Sequence, residues 1–209
     1  MTVVTHVEWG FHMEEFERVI EPDDRYRVWV YRHPVAGGAF AAFVATQIAT
    51  IWGYYGPGIG LPSLPFPNYN GLLFAPASVQ FAADGTSNFG NVGSFFVGQS
   101  VHFTNGIVFG LWFALVVYNK IPTPFGPKMK SIQKGLLFAV VQTIISCGFL
   151  FPYVYARKLG FGIFSFGDNL LGTNHDHWKL PFAILLWHLI WGGILGYLYD
   201  PKKPDEARF

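Results

Sequence analysis

Of 209 residues, 51% are hydrophobic and 19% aromatic, and only 13% are charged, where an average soluble domain carries charge on roughly a quarter of its residues. This is the composition of an integral membrane protein. The charge balance, 14 Lys+Arg against 13 Asp+Glu, leaves no basic excess to neutralise phosphates and excludes nucleic acid as a partner. The lone Cys147 excludes an intrachain disulfide.

Residues 1–34 form a polar N-terminal segment. Its GFHMEEFERVI stretch, before Pro22, has an amphipathic pattern suited to lying along a membrane surface. The following RYRVWVYRHP alternates charged with aromatic and β-branched residues, a pattern that predicts an extended or interfacial segment. With no basic n-region leading directly into an apolar run, the first spanning helix is expected to act as the insertion signal. That helix is predicted over residues 35–55, with Thr46, Gln47 and Thr50 in its middle.

A loop over residues 56–98 follows, rich in Gly, Pro, Asn and Phe and without Lys or Arg. Its aromatic content predicts an ordered cap or partner-binding surface, since disordered segments are poor in aromatics. The second helix is predicted over 100–119, a basic connector over 120–134 and the third helix over 135–155. A second outer loop, 156–179, holds His175, Asp176, His177 and Trp178. The fourth helix, 181–200, carries no charged residue from Phe182 to Tyr199, and a polar tail over 201–209 closes the chain. Lys and Arg gather before helix one, between helices two and three and after helix four, which predicts cytoplasmic termini and a cytoplasmic connector.

Two spans share a pattern. His102, Gly106 and Gly110 have the HxxxGxxxG spacing of His188, Gly192 and Gly196, and each run ends in Tyr before a proline-bearing turn. Gln47, Gly53 and Pro57 likewise match Gln142, Gly148 and Pro152. Residues 35–119 and 135–200 thus read as two parallel repeats related by a pseudo-two-fold axis along the membrane normal, with the two histidines at one depth and the two glutamines at another. The expected fold is an all-α integral membrane protein: four transmembrane helices as two parallel two-helix repeats, with a long aromatic outer loop.

In the histidine, glycine, glycine, tyrosine pattern of its closing helix, the chain resembles the YagU-like small four-helix proteins of bacterial inner membranes. The resemblance implies a four-helix bundle in the bacterial cytoplasmic membrane and transfers no catalytic residue. The aromatic loop and the polar N-terminal segment extend beyond that pattern and suggest a specialised partner.

Membrane-embedded ionisable residues are functional candidates. His102 and His188, on facing helices, have the chemistry to ligate a haem b on both axial sides, or singly a chlorophyll-type pigment, with the glycines making room for the macrocycle. The competing reading is structural. Gly106, Gly110, Gly192 and Gly196 let helices touch, and each histidine bonds to a neighbouring helix. Gln47 and Gln142 are candidates for a polar path or for interhelical hydrogen bonds. His175 and His177 supply too few ligands for a zinc site, so no metal site is expected. The spans hold no carboxylate, which argues against a proton-coupled transporter. No nucleophile elbow, phosphate-binding loop or metal-binding cysteine pair is present, so no catalytic residue is assigned. The expected function is a non-catalytic subunit of a larger bacterial membrane complex, with other membrane subunits and the lipid bilayer as partners. The alternatives are an electron-transfer or pigment protein using His102 and His188, and a small-molecule pore or carrier.

Overall fold

The structure is a computed structural model that describes residues 21–74, 80–81, 87–88, 92–120, 130–155 and 179–207. The amphipathic stretch before Pro22 and the His175–His177 loop lie outside them. Four helices are long and apolar enough to cross a membrane, over Pro34–Ile59, Phe95–Val117, Ser131–Leu150 and Lys179–Leu198. The protein is a multi-pass membrane protein with a helical bundle fold.

Helix α1, Pro22–Arg32, replaces the extended segment expected there. Pro22 at the first helical position has its φ preset. Asp24 in the first turn and Arg32 in the last complement the helix dipole. Burial follows both Val28 and Val30, so α1 is held from more than one side, and the two-residue alternation reflects that packing. His33, at φ −128° and ψ 62°, separates α1 from α2, Pro34–Tyr55. The two helices dock where Val30 meets Gly37, at which a Cβ would lie 3.0 Å from the valine Cγ1.

A 3₁₀ turn, Gly56–Ile59, ends at Gly60, whose φ of 79° is left-handed and suits a residue without Cβ. The chain then doubles back, with Leu64 N–H donating to the Gly53 carbonyl at 2.9 Å. Helix α3, Phe66–Phe74, follows. It packs along α4, Val92–Trp112, whose start lies eight residues before the expected 100. The close approach depends on Gly98, which faces the backbone of Pro67 and Gly71. Between them, β1, Gln80–Phe81, pairs antiparallel with β2, Ser87–Asn88. The predicted loop is therefore partly helical, and its α3 caps one end of the bundle.

Helix α4 widens into a π turn at Phe113–Val117. Helix α5, Ser131–Ile145, widens over Ser146–Tyr155, where Pro152 lacks the N–H that a regular ladder requires. Helix α6 spans Lys179–Leu198, and a short 3₁₀ turn, Pro204–Glu206, follows.

Helices α2 and α6 form the centre; α4 packs on α2, and α5 on α6. The central seam joins small to large. Ala41, Ala45 and Ala49 of α2 and Trp187, Trp191 and Leu195 of α6 are all buried in one core. The indole of Trp191 donates to Thr46 Oγ1 at 2.9 Å. A strict two-fold would pack α4 on α5 as closely as α2 on α6. Instead α4 and α5 meet at aromatic contacts near one end, Trp112–Phe138 at 5.5 Å and Phe113–Phe138 at 5.3 Å. Large residues on both sides prop that seam apart.

The end of the bundle opposite α3 is tied by a polar network. Asp24, fully buried, pairs with Lys202 at 2.8 Å and Arg27 at 3.3 Å. Arg27 also pairs with Asp200 at 2.6 Å. Ser131 donates to Asp200 at 2.5 Å, so the 2.5 Å contact of Tyr118 with Ser131 has the phenol as donor. Lys134 sits 4.1 Å above the Tyr118 ring and donates to its carbonyl at 3.0 Å. The start of α1, both edges of the 121–129 connection and the C-terminal tail thus meet at one end.

Candidate functional site: a cleft between α4 and α5

The two histidines are positioned by matching stripes of small residues. On α2, Gly38, Ala42, Thr46 and Thr50 recur every four residues, and on α5 Ser131, Gly135, Ala139 and Thr143 do the same. Gly106 faces Thr46, and Gly110 faces Ala42 and Gly38. Gly192 faces Gly135 and Ala139, and Gly196 faces Ser131 and Ile132. At the head of each stripe a threonine meets a histidine: Thr50 with His102 Nε2 at 2.8 Å, and Thr143 with His188 Nδ1 at 3.1 Å. The glycines are filled by neighbouring helices, and all four serve close helix approach.

Hydroxyl geometry assigns the imidazole protons. Thr50 Oγ1 donates to the Thr46 carbonyl at 2.6 Å and Thr143 Oγ1 to the Ala139 carbonyl at 2.9 Å. A hydroxyl has one proton, so each threonine accepts from its histidine. His102 is therefore protonated on Nε2 and His188 on Nδ1. His102 Nδ1 and His188 Nε2 are left as acceptors.

Both histidines line the open seam. Its floor is Thr46 of α2 with Trp187, His188 and Trp191 of α6; its walls include Phe109 and Trp112 of α4 and Phe138, Val141 and Gln142 of α5. Phe66 of the α3 cap closes one end, stacked on His102 at 6.0 Å and edge-on to Trp187 at 5.0 Å. Phe109, Trp112, Val141 and Ile145 at the rim are exposed, so the cleft opens sideways on the apolar flank of the bundle. In the cap, burial raises the pKa of the Tyr69 phenol, with Tyr54 adding to the shift, which keeps it neutral.

The cleft holds a cavity of about 140 Å³. An engineered apolar cavity of about 150 Å³ takes one benzene, so this space suits a single six-membered ring and not a tetrapyrrole. Trp187 packs on both imidazoles, 5.8 Å from His102 and 5.2 Å from His188, where a macrocycle bridging them would have to lie. A haem ligated by both histidines does not fit this arrangement.

The two glutamines part company. Gln142 is buried in the cleft wall, whereas Gln47 is on the exposed face of α2. Their matched spacing does not mark like positions. The histidine contacts align Thr50 with Thr143, which shifts the register of the two helices by two residues from the glutamine match. Two cleft residues had no sequence signal. Trp187 and Phe66 were indistinguishable from other aromatics until the fold set them beside the histidines.

Among the described residues no group of His, Cys, Asp or Glu is placed to hold a metal ion. No family model, curated protein or solved structure matches the chain.

Proposed function

We propose that this chain is a non-catalytic integral subunit of a larger complex in a bacterial cytoplasmic membrane, with both termini cytoplasmic. The observation that carries the reading is Gln47. Its amide lies in the middle of a spanning helix on an exposed stripe with Phe40, Phe43 and Ile51. Hydrocarbon offers that amide no hydrogen-bond partner; a helix of another subunit laid along the stripe does. We read the two helix pairs as one duplicated unit in the Thr50/Thr143 register, with the α4–α5 seam left open.

The test is a photo-reactive phenylalanine analogue placed at Gln47 and irradiated in native membranes. Cross-linking to another membrane chain is expected, and Gln47→Leu should reduce its co-purification. A monomer that cross-links only to lipid, with Gln47→Leu behaving as wild type, would sink the reading.

A further inference from the structure

We propose that α4 packs in parallel against α4 of a second copy of this chain, through the face turned away from α2. That face carries Val97, Val101, Thr104, Val108 and Leu111, at alternating steps of four and three residues, the seam spacing of a left-handed coiled coil. Gly106 and Gly110 put the opposite face of the helix against α2. Within the chain the seam is uncovered: Val97 is 43% and Val108 56% exposed, Thr104 is exposed, and Val101 and Leu111 are half-buried. Only 22% of the α4 apolar window is buried, against 50% for α6.

Apolar exposure alone would suit lipid, and the polar residues beside the seam select a second copy instead. Asn105 is exposed in the middle of the span, at the edge between the seam and the cleft mouth, and hydrocarbon offers its amide no hydrogen-bond partner. In a parallel two-stranded coiled coil, a residue flanking the seam on one helix meets the residue five positions later on the other. Ser100 and Asn105 stand at that separation. Ser100 Oγ gives its own proton to the Phe96 carbonyl at 2.9 Å, which leaves its lone pairs to accept from the Asn105 amide of the second copy, once on each side of the two-fold. The direction is fixed as well, because two copies inserted in one orientation run their α4 helices parallel. Val101 and Val108 with Leu111 follow the β-branched and leucine alternation that favours two parallel strands. The patch is uncharged and offers both donors and acceptors, so it is self-complementary, as a two-fold interface requires.

Two differently tagged copies of the full chain, co-expressed in a Cys147→Ser background, test this by disulfide cross-linking in native membranes. Thr104→Cys should join the two tags at least tenfold faster than Ile144→Cys, which is 67% exposed on α5. For the strength of the dimer, copies labelled at Asp205→Cys with donor and acceptor dyes are diluted with lipid in liposomes, and energy transfer gives the dissociation constant. Asn105→Leu and Ser100→Ala should each raise it about tenfold, two interhelical hydrogen bonds' worth, and the double variant little further, because both remove the same pair. Val108→Trp, which wedges the seam apart, should abolish energy transfer, and thermal unfolding of each variant checks that it folds. If one variant fails to fold, the others carry the test. Equal cross-linking rates at Thr104→Cys and Ile144→Cys, or a dissociation constant unchanged in the folded variants, overturns the proposal. A dimer lost in Gln47→Leu but kept in Val108→Trp overturns it too, since the copies would then meet on the Gln47 stripe.

Discussion

Thr50 accepts a hydrogen bond from His102 Nε2 at 2.8 Å while giving its own proton to the Thr46 carbonyl at 2.6 Å. One hydroxyl thereby fixes the tautomer of a buried imidazole and joins α2 to α4. Thr143 does the same for His188 between α5 and α6.

These pairs should be energetically coupled. In a double-mutant cycle of Thr50→Val with His102→Leu, thermal unfolding in detergent should give a coupling of about 1 kcal/mol, within the range for polar contacts between membrane helices. Thr143→Val with His188→Leu should behave alike. Additive effects in both cycles would show that the contacts carry no net stability.

The glycines should divide by what they face. Gly192 meets the backbone of Gly135 and the side chain of Ala139, so Gly192→Leu should destabilise by roughly 3 kcal/mol, at the upper end for overpacking. A Cβ added at Gly148 would meet nothing within 4 Å, and Gly148→Ala should be neutral or stabilising by about 0.5–1 kcal/mol. Thermal shift of the two variants side by side provides the check.

Asp24 is the pivot of the network at the end opposite α3, since it holds both Arg27 and Lys202. Lys202→Met takes one cation from the buried carboxylate and leaves Arg27 beside it. A loss of about 2 kcal/mol is expected, below the roughly 3–5 kcal/mol for a buried charge stripped of its only partner. Limited proteolysis should show earlier cutting in the tail. A tail as resistant as wild type would mean that Lys202 does not hold it.

Topology is testable in a Cys147→Ser background. Lys130→Cys and Asp205→Cys flank the polar end, and Gly58→Cys lies in the 3₁₀ turn at the other end of α2. In whole cells a membrane-impermeant maleimide should label only Gly58→Cys, with the other two reacting after lysis. The reverse pattern would invert the orientation drawn from the Lys and Arg distribution.

Sequence by itself determined the membrane class, the four spans and the small-residue stripes below each histidine, because span length and four-residue spacing are local properties of a chain in hydrocarbon. It led to an extended segment before Pro34 where α1 stands, because two-residue alternation also arises when a short helix is buried on several sides. It matched Gln47 with Gln142, because spacing records position along a helix and not which face meets a neighbour. Only the tertiary structure decided that alanines of α2 would admit the α6 tryptophans while Trp112 and Phe138 hold α4 and α5 apart. That difference in side-chain size opens one seam and closes the other, and it places Gln142 and Trp187 in the cleft with their polar atoms unpaired.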